Sequence, residues 1–175
     1  MKTLIVVDMQ NDFITGPLGT PEAHEIIPSV KKKIEECIYN NWNIIFTKDT
    51  HRDNYLDSLE GKKLPVKHCV KYTQGWEIYD ELFQYIRDYV NTNVIYKDSF
   101  GYHLWCNWHK KMSEDIEIIG LCTDICVISN ALILKSIFPE REITVDASCC
   151  AGTTPENHKA ALQVMKSCQI NVIGE

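Results

Sequence analysis

The sequence predicts an α/β protein, a three-layer α/β/α sandwich around a six-stranded, mainly parallel sheet. Three observations carry that prediction. Short apolar runs rich in β-branched residues recur along the chain, stretches with apolar residues at i, i+3 and i+4 lie between them, and the two kinds alternate. Parallel strands need crossover connections, and helical crossovers cover both faces of the sheet.

The elements follow in order. Thr3–Val7 is a continuous apolar run, as expected of a strand buried on both faces. Ile27, Val30, Ile34, Cys37 and Ile38 have helical spacing, and Lys31, Lys32 and Lys33 on that helix, followed by Glu35 and Glu36, predict a solvated charged face. Asn43–Thr47 is the second strand. The stretch from Asp49 to Gly75 has no periodicity and is rich in His, Asp, Lys and Gly, so it reads as a functional or disordered loop. Ile78, Leu82, Tyr85 and Ile86 predict a helix before the third strand, Asn93–Tyr96. "YHLWCNW", residues 102–108, is either a helix packed on the sheet or an interface. Ile116–Ile119 is the fourth strand, and Val127, Ile128, Ala131, Leu132 and Leu134 mark the helix after it. Glu142–Val145, a helix through His158, Ala161, Leu162 and Met165, and Ile170–Ile173 complete the set. With 175 residues, no repeat and no convincing linker, residues 1–175 are expected to form a single domain.

Composition narrows the function. A net charge of -6 gives no basic footprint for nucleic acid or an anionic membrane. No apolar run approaches the ~20 residues of a membrane span, and no cleavable signal opens the chain, so a cytoplasmic protein is expected. The eight cysteines lie mostly within apolar segments and are expected to be reduced.

In an open parallel sheet, ligands bind at the carboxyl ends of the strands. The residues there are Asp8 after the first strand, Asp49 and His51 after the second, Lys97 after the third, and "GLCTDIC" (residues 120–126) after the fourth. Cys126 falls in the first turn of a predicted helix, with Thr123 or Asp124 as N-cap. Free N–H groups and the helix dipole would favour a thiolate there and offer donors to an oxyanion, whereas the alternative is a buried core cysteine. Asp8 is either a partly desolvated acid suited to proton transfer or a cap for the following turn. Lys97 is either its ionic partner or a solvated lysine. Asp49-x-His51, with His68 further along the loop, supplies two imidazoles and a carboxylate, a set suited to zinc, iron or manganese at an open site; alternatively Asp49 merely ends the strand. Cys69 beside His68 reads as packing.

Taken together, "LIVVDMQNDF", "TKDTH", "HCVKYTQGWEI", the lysine of "IYKDSF", "GLCTDICV" and "VDASCCAGTTPENH" resemble the isochorismatase-like cysteine hydrolases, and among them the nicotinamidase branch. The resemblance spans nearly the whole chain. It implies a triad of Asp8, Lys97 and Cys126, a cis peptide at Leu121–Cys122 shaping an oxyanion site, and Phe13 beside the substrate. It further implies a divalent metal, zinc before iron or manganese, on Asp49, His51 and His68. The implied reaction is hydrolysis of nicotinamide to nicotinate and ammonia through a thioester, in NAD salvage, by an enzyme expected to self-associate. The chain departs from that pattern at Leu64-Pro65, where the branch usually carries an aromatic that sandwiches the ring, and Trp105, Tyr102 or a neighbouring subunit is then expected to supply one. Other readings remain at this point: hydrolysis of another small carboxamide or of an isochorismate-like ether, and a non-enzymatic metal-binding or thiol-redox module built on His51, His68, Cys122 and Cys126.

Overall fold

The computed structural model describes residues 1–112 and 114–175. In chain order the elements are β1 (Thr3–Val7), α1 (Asn11–Ile14), α2 (Pro21–Glu25), α3 (Ile27–Tyr39), β2 (Asn43–Asp49), α4 (Leu59–Lys63), α5 (Asp80–Asp88), β3 (Thr92–Lys97), β4 (Ile116–Leu121), α6 (Ile128–Ile137), β5 (Ile143–Ala151), α7 (Pro155–Ser167) and β6 (Asn171–Ile173). The strands form one sheet in the order β3-β2-β1-β4-β5-β6. Every pairing in it is parallel.

Side chains alternate across this sheet and build a core on each face. Leu4, Val6, Ile44 and Phe46 pack with Val30 and Ile34 of α3 and Leu82 of α5. Ile5, Val7, Ile45 and Ile118 pack on the opposite face with Ala131 and Leu134 of α6 and Leu162 and Met165 of α7. Two helices begin with the same tripeptide, Thr-Pro-Glu. Thr20 and Thr154 are N-caps whose hydroxyls accept from the N–H of Ala23 and Asn157 at 3.1 Å, with proline in the first helical position.

Several boundaries differ from the sequence reading in one direction: the strands run further toward their carboxyl ends. β2 reaches Asp49, β3 reaches Lys97, β4 reaches Leu121 and β5 continues to Ala151. A register shift between Ile118 and Gly120 sets Cys150 opposite Gly120 and Ala151 opposite Leu121, which carries β5 up beside the end of β4. The sequence reading ends this strand at Val145, before the polar Asp146 and Ser148. In the fold the Asp146 carboxylate accepts from the Ser148 N–H and hydroxyl at 3.1 and 2.6 Å while the strand continues.

The lysine run is the clearest correction. Lys33 is not on a solvated face: its Nζ lies 2.7 Å from Glu117 of β4 and 2.9 Å from Asp146 of β5, with its side chain 18% exposed. Lys31 reaches across to Glu81 of α5 at 2.9 Å, and only Lys32 pairs along its own helix, with Glu36 at 4.0 Å. Burial opposes the Lys33 charge, but Glu117 and Asp146 outweigh it and raise its pKa. Removing one member of such a cluster leaves uncompensated charge. Lys33→Met is therefore expected to lower Tm by roughly 5–10 °C in a thermal melt. An unchanged Tm would mean that the two carboxylates shed their repulsion at no cost.

"YHLWCNW" packs inward: Trp105 is fully buried against the α6 face and its indole N–H donates to Asn130 Oδ1 at 2.8 Å. All eight cysteines are free, five of them buried. Among the described residues no helix is long and apolar enough to cross a membrane.

Candidate active site

β1 delivers Asp8 to the carboxyl edge of the sheet. Its backbone turns out of the strand with φ 48°, a left-handed conformation that aspartate tolerates better than most residues. Thr47 of the neighbouring β2 orients the carboxylate by donating its hydroxyl to Oδ1 at 2.6 Å. The other oxygen lies 2.6 Å from Lys97 Nζ, at the end of β3. The same ammonium contacts Asp49 Oδ1 at 3.3 Å, the Ser99 carbonyl at 3.1 Å and Cys126 Sγ at 3.5 Å. One cation thus touches two carboxylates and a thiol where water has little access.

That placement sets the charge states. Burial raises the Asp8 pKa, Lys97 opposes the rise, and the nearby charge of Asp49 adds to it. Burial alone would neutralise Lys97, but Asp8, Cys126 and Asp49 more than offset it, so the ammonium is retained well above its usual range. Burial also raises the Cys126 thiol well above its ordinary value, although Lys97 pulls it down. Burial keeps the resting thiol protonated, and the negative charge of Asp8 favours that form. A carboxylate with a raised pKa beside a protonated thiol is a proton acceptor in place.

The cysteine sits on the turn that follows β4. Gly120 is required there: its φ is 117°, and a Cβ would come within 2.1 Å of the Val7 carbonyl oxygen. The next peptide, Leu121–Cys122, is cis. Thr123–Val127 then forms a wide turn in which the Val127 N–H reaches back to the Cys122 carbonyl at 3.1 Å, a π-helical step ahead of α6. The N-cap of this turn is Cys122, not Thr123 or Asp124. Both of those side chains are engaged by α7 and the residues leading into it. Thr123 Oγ1 meets His158 Nδ1 at 2.8 Å, and the Asp124 carboxylate accepts from the Thr153 N–H at 2.8 Å and its hydroxyl at 2.5 Å.

Asp49, His51 and His68 converge close by, one potential ligand atom from each lying within 4.8 Å of the others. His68 Nδ1 is 2.8 Å from the Val66 carbonyl, which can only accept, so the proton belongs on Nδ1 and Nε2 presents its lone pair. His51 Nε2 is 2.9 Å from Asp49 Oδ2, yet it is buried without a hydrogen bond of proper geometry. An orphaned imidazole nitrogen, a second lone pair fixed by its tautomer and a carboxylate fit a divalent metal. Glu60 of α4 adds a second carboxylate, with Oε1 3.6 Å from His51 Nε2 and 3.8 Å from His68 Nε2.

Protons and a metal would compete for this cluster. Burial works against protonating His68, but its bonds to Asp49 and the Val66 carbonyl win and raise its pKa. A raised pKa keeps the proton on to higher pH, so metal binding must displace it and affinity falls as pH drops. Equilibrium dialysis is expected to show zinc binding at least ~10-fold weaker at pH 6 than at pH 8. Equal affinity at the two values would remove His68 from the ligand set.

The opening motif explains how this loop is secured. Gln10 Nε2 donates to the Asp49 and Trp76 carbonyls at 2.9 and 2.8 Å, while its Oε1 accepts from the Asp49 N–H at 2.7 Å. Asn11 donates to the Gln74 carbonyl at 2.8 Å, and Asp12 accepts from the Cys69 N–H at 2.7 Å. "DMQND" therefore carries one reactive candidate, Asp8, and three residues that tie down the segment around His68.

A cavity of about 310 Å³ opens onto these groups. Cys126, Cys122, Asp49 and His68 line it together with the apolar side chains of Phe13, Leu18, Leu64, Phe100 and Ile125. Leu121 is buried in the core and reaches the site only through its peptide. Trp105 and Tyr102 do not replace the missing aromatic, because both belong to the packing on the α6 face. The aromatic that lines the cavity besides Phe13 is Phe100, and Leu64 lines it too. Neither Phe100 nor Glu60 was legible as a site residue, since each depends on where a loop lands. Only the proximity of Phe100 to Lys97 in the chain hinted at its position.

An open parallel sheet with a thiol, two carboxylates and an ammonium gathered at its carboxyl edge defines a protein of the α/β class that takes a small ligand at that edge. The chain belongs to the isochorismatase family: the model of the isochorismatase domain matches residues 2–174. Among its relatives, the nicotinamidase of Saccharomyces cerevisiae is 25% identical over 217 residues, covering 99% of both chains. The crystal structure of a nicotinamidase from Bacillus subtilis superposes with a TM-score of 0.84 at 27% identity, covering 98% of each chain. That of the pyrazinamidase of Pyrococcus horikoshii in complex with zinc gives 0.83 at 26% identity and 99% coverage of each.

Proposed function

We propose that this protein is a metal-dependent cysteine amidohydrolase that converts nicotinamide to nicotinate and ammonia. The observation that carries the reading is the contact of one buried ammonium, Lys97, with Asp8, Asp49 and Cys126 at the mouth of a small apolar cavity. Its relatives include proteins named nicotinamidase and pyrazinamidase, which supports a flat heteroaromatic carboxamide as substrate.

In this reading Asp8 takes the Cys126 proton as Sγ bonds to the carboxamide carbon, and Lys97 holds Asp8 in place and balances the charge of the pair. The carbonyl oxygen, now negative, faces the backbone of the Leu121–Cys122 peptide and the turn that follows. Asp8 returns the proton to the departing nitrogen, which leaves as ammonia, and a thioester remains on Cys126. A water deprotonated by Asp8 then attacks that carbonyl, the C–S bond breaks, and the carboxylic acid and free thiol are released. Asp49, His51 and His68, with Glu60 beside them, would hold the metal, which when bound supplies a Lewis-acid anchor for the substrate's ring nitrogen. Phe13 and Phe100 would bracket the ring. We place the enzyme in the cytoplasm, in NAD salvage, and as a homo-oligomer.

The test is ammonia release from nicotinamide by zinc-loaded protein. Release from the wild-type chain supports the assignment. No release, with zinc bound and Cys126 still alkylated by iodoacetamide, would overturn nicotinamide as substrate and direct the search to other small carboxamides, with Leu64 as the first residue to vary.

A further inference from the structure

Asn130 occupies a place where an asparagine is expensive. It lies in α6, is fully buried, and brings low helix propensity with a side-chain amide whose donors and acceptor must all be satisfied. Every one of its side-chain bonds is nevertheless made. Nδ2 donates to the Cys126 carbonyl at 2.8 Å and to the Phe100 carbonyl at 3.3 Å. Oδ1 accepts from the Tyr102 N–H at 3.0 Å and the Trp105 indole N–H at 2.8 Å. Two donors and two acceptor sites are the full capacity of the group.

What those bonds join is informative. Two of them end on the residues that frame the cavity: Cys126, which carries the thiol, and Phe100, which forms a wall. The segment they hold is the continuation of β3, in which Lys97 donates to the Ser99 carbonyl at 3.1 Å. That segment lies tight on α6, since a Cβ at Gly101 would come within 2.5 Å of Ile133 Cδ1. Asn130 therefore ties the backbone carbonyl of Cys126 directly to that of Phe100.

We propose that Asn130 is a positioning residue that sets the ring-binding wall, Phe100, in register with the Cys126 thiol. The proposal rests on the reading of Cys126 as nucleophile. It touches no reacting atom; it fixes two backbone carbonyls, and a small misplacement of a reacting geometry has large kinetic effects.

Two variants separate this role from plain stabilisation. In Asn130→Ser the hydroxyl can bond back to the carbonyl four residues earlier, as Ser129 and Ser136 do in this helix at 2.6 and 2.8 Å, but it is too short to reach Phe100. KM for nicotinamide is expected to rise about fivefold or more, with kcat within about twofold of wild type. Asn130→Asp keeps an acceptor for Tyr102 and Trp105 but loses both donors when ionised, so kcat is expected to fall about 10-fold as well, with partial recovery at low pH as the buried acid regains a proton. Trp105→Phe, which loses only a bond on the loop side, is expected to lower Tm and leave KM and kcat within about twofold. If Asn130→Ser leaves KM unchanged, or if Trp105→Phe shifts KM as much as Asn130→Ser does, the positioning role is wrong.

A second readout does not depend on the substrate. The rate of Cys126 alkylation by iodoacetamide, followed by peptide mass spectrometry, is expected to stay near wild type in Asn130→Ser and to change several-fold in Asn130→Asp. Should the wild-type chain hydrolyse no nicotinamide, the function assigned above fails on its own, and an unchanged alkylation rate in Asn130→Asp would overturn the positioning role separately.

Discussion

Cys126→Ala is expected to reduce ammonia release by at least about 10⁴-fold while leaving the fold and the bound metal in place. The size of the effect follows from chemistry that no neighbour can take over. Cys126 is the thiol that both contacts Lys97, at 3.5 Å, and lines the cavity. Cys122 lines the same cavity, but among the described residues it makes no hydrogen bond to Lys97, which Cys126 does. The fold should tolerate the change, because Cys126 packs as a small apolar side chain in the α6-side core and alanine loses only the sulfur. Cys126→Ser tests the same point with a hydroxyl, whose proton a buried carboxylate removes far less readily. Initial rates, zinc content and a thermal melt on each variant give the answer, and appreciable turnover in either would exclude Cys126 as nucleophile.

Asp8→Asn is expected to lower kcat by roughly 10³-fold, near the middle of the range for a general acid–base group. Asparagine keeps the shape and can still accept from Thr47, so the loss isolates the proton-carrying role. Lys97 loses its 2.6 Å partner but retains Asp49 at 3.3 Å, so the ammonium is not stranded and the chain should still fold. Zinc content should be unchanged, because Asp8 is not among the converging ligand atoms. That combination also separates a hydrolase from a thiol-redox module, whose thiol oxidation would survive the substitution. The wild-type pH profile belongs to the same argument. Burial raises the Asp8 pKa, so the base form appears only at higher pH than for an ordinary carboxylate near ~3.9, and activity should climb along that displaced acid limb. A variant with wild-type kcat would reassign the base.

The sheet was legible because strands buried on both faces leave nearly continuous apolar runs, as in Thr3–Val7. The positions after those strands were legible for the same reason, since a polar residue ending such a run stands out: Asp8, Asp49, Lys97 and the Cys122–Cys126 turn are brought to one edge. What escaped was everything decided by contact between distant segments. Lys33 resembles any helical surface lysine until β4 and β5 bring Glu117 and Asp146 to it. Thr123 and Asp124 have the chemistry of a helix cap, and nothing local reveals that His158 and Thr153 claim them. β5 was cut short because Asp146 and Ser148 satisfy each other in a pattern that also starts turns. Glu60 and Phe100 reach the cavity from loops whose path no periodicity encodes.

The strand order has a bearing on how the molecule is made. β1 lies between β2 and β4, and while Thr3 pairs with Asn43, its other neighbour is Ile116. A ribosome adding ~5–20 residues per second needs roughly 6–20 s to pass from the first strand to the fourth. Throughout that interval one edge of the most apolar strand has no native partner, and Asp8 is synthesised long before Lys97 and Cys126 enclose it. The nascent chain therefore spends its early life with its future centre as an open edge, which is the state in which a chaperone, or an unwanted neighbour, finds most to hold.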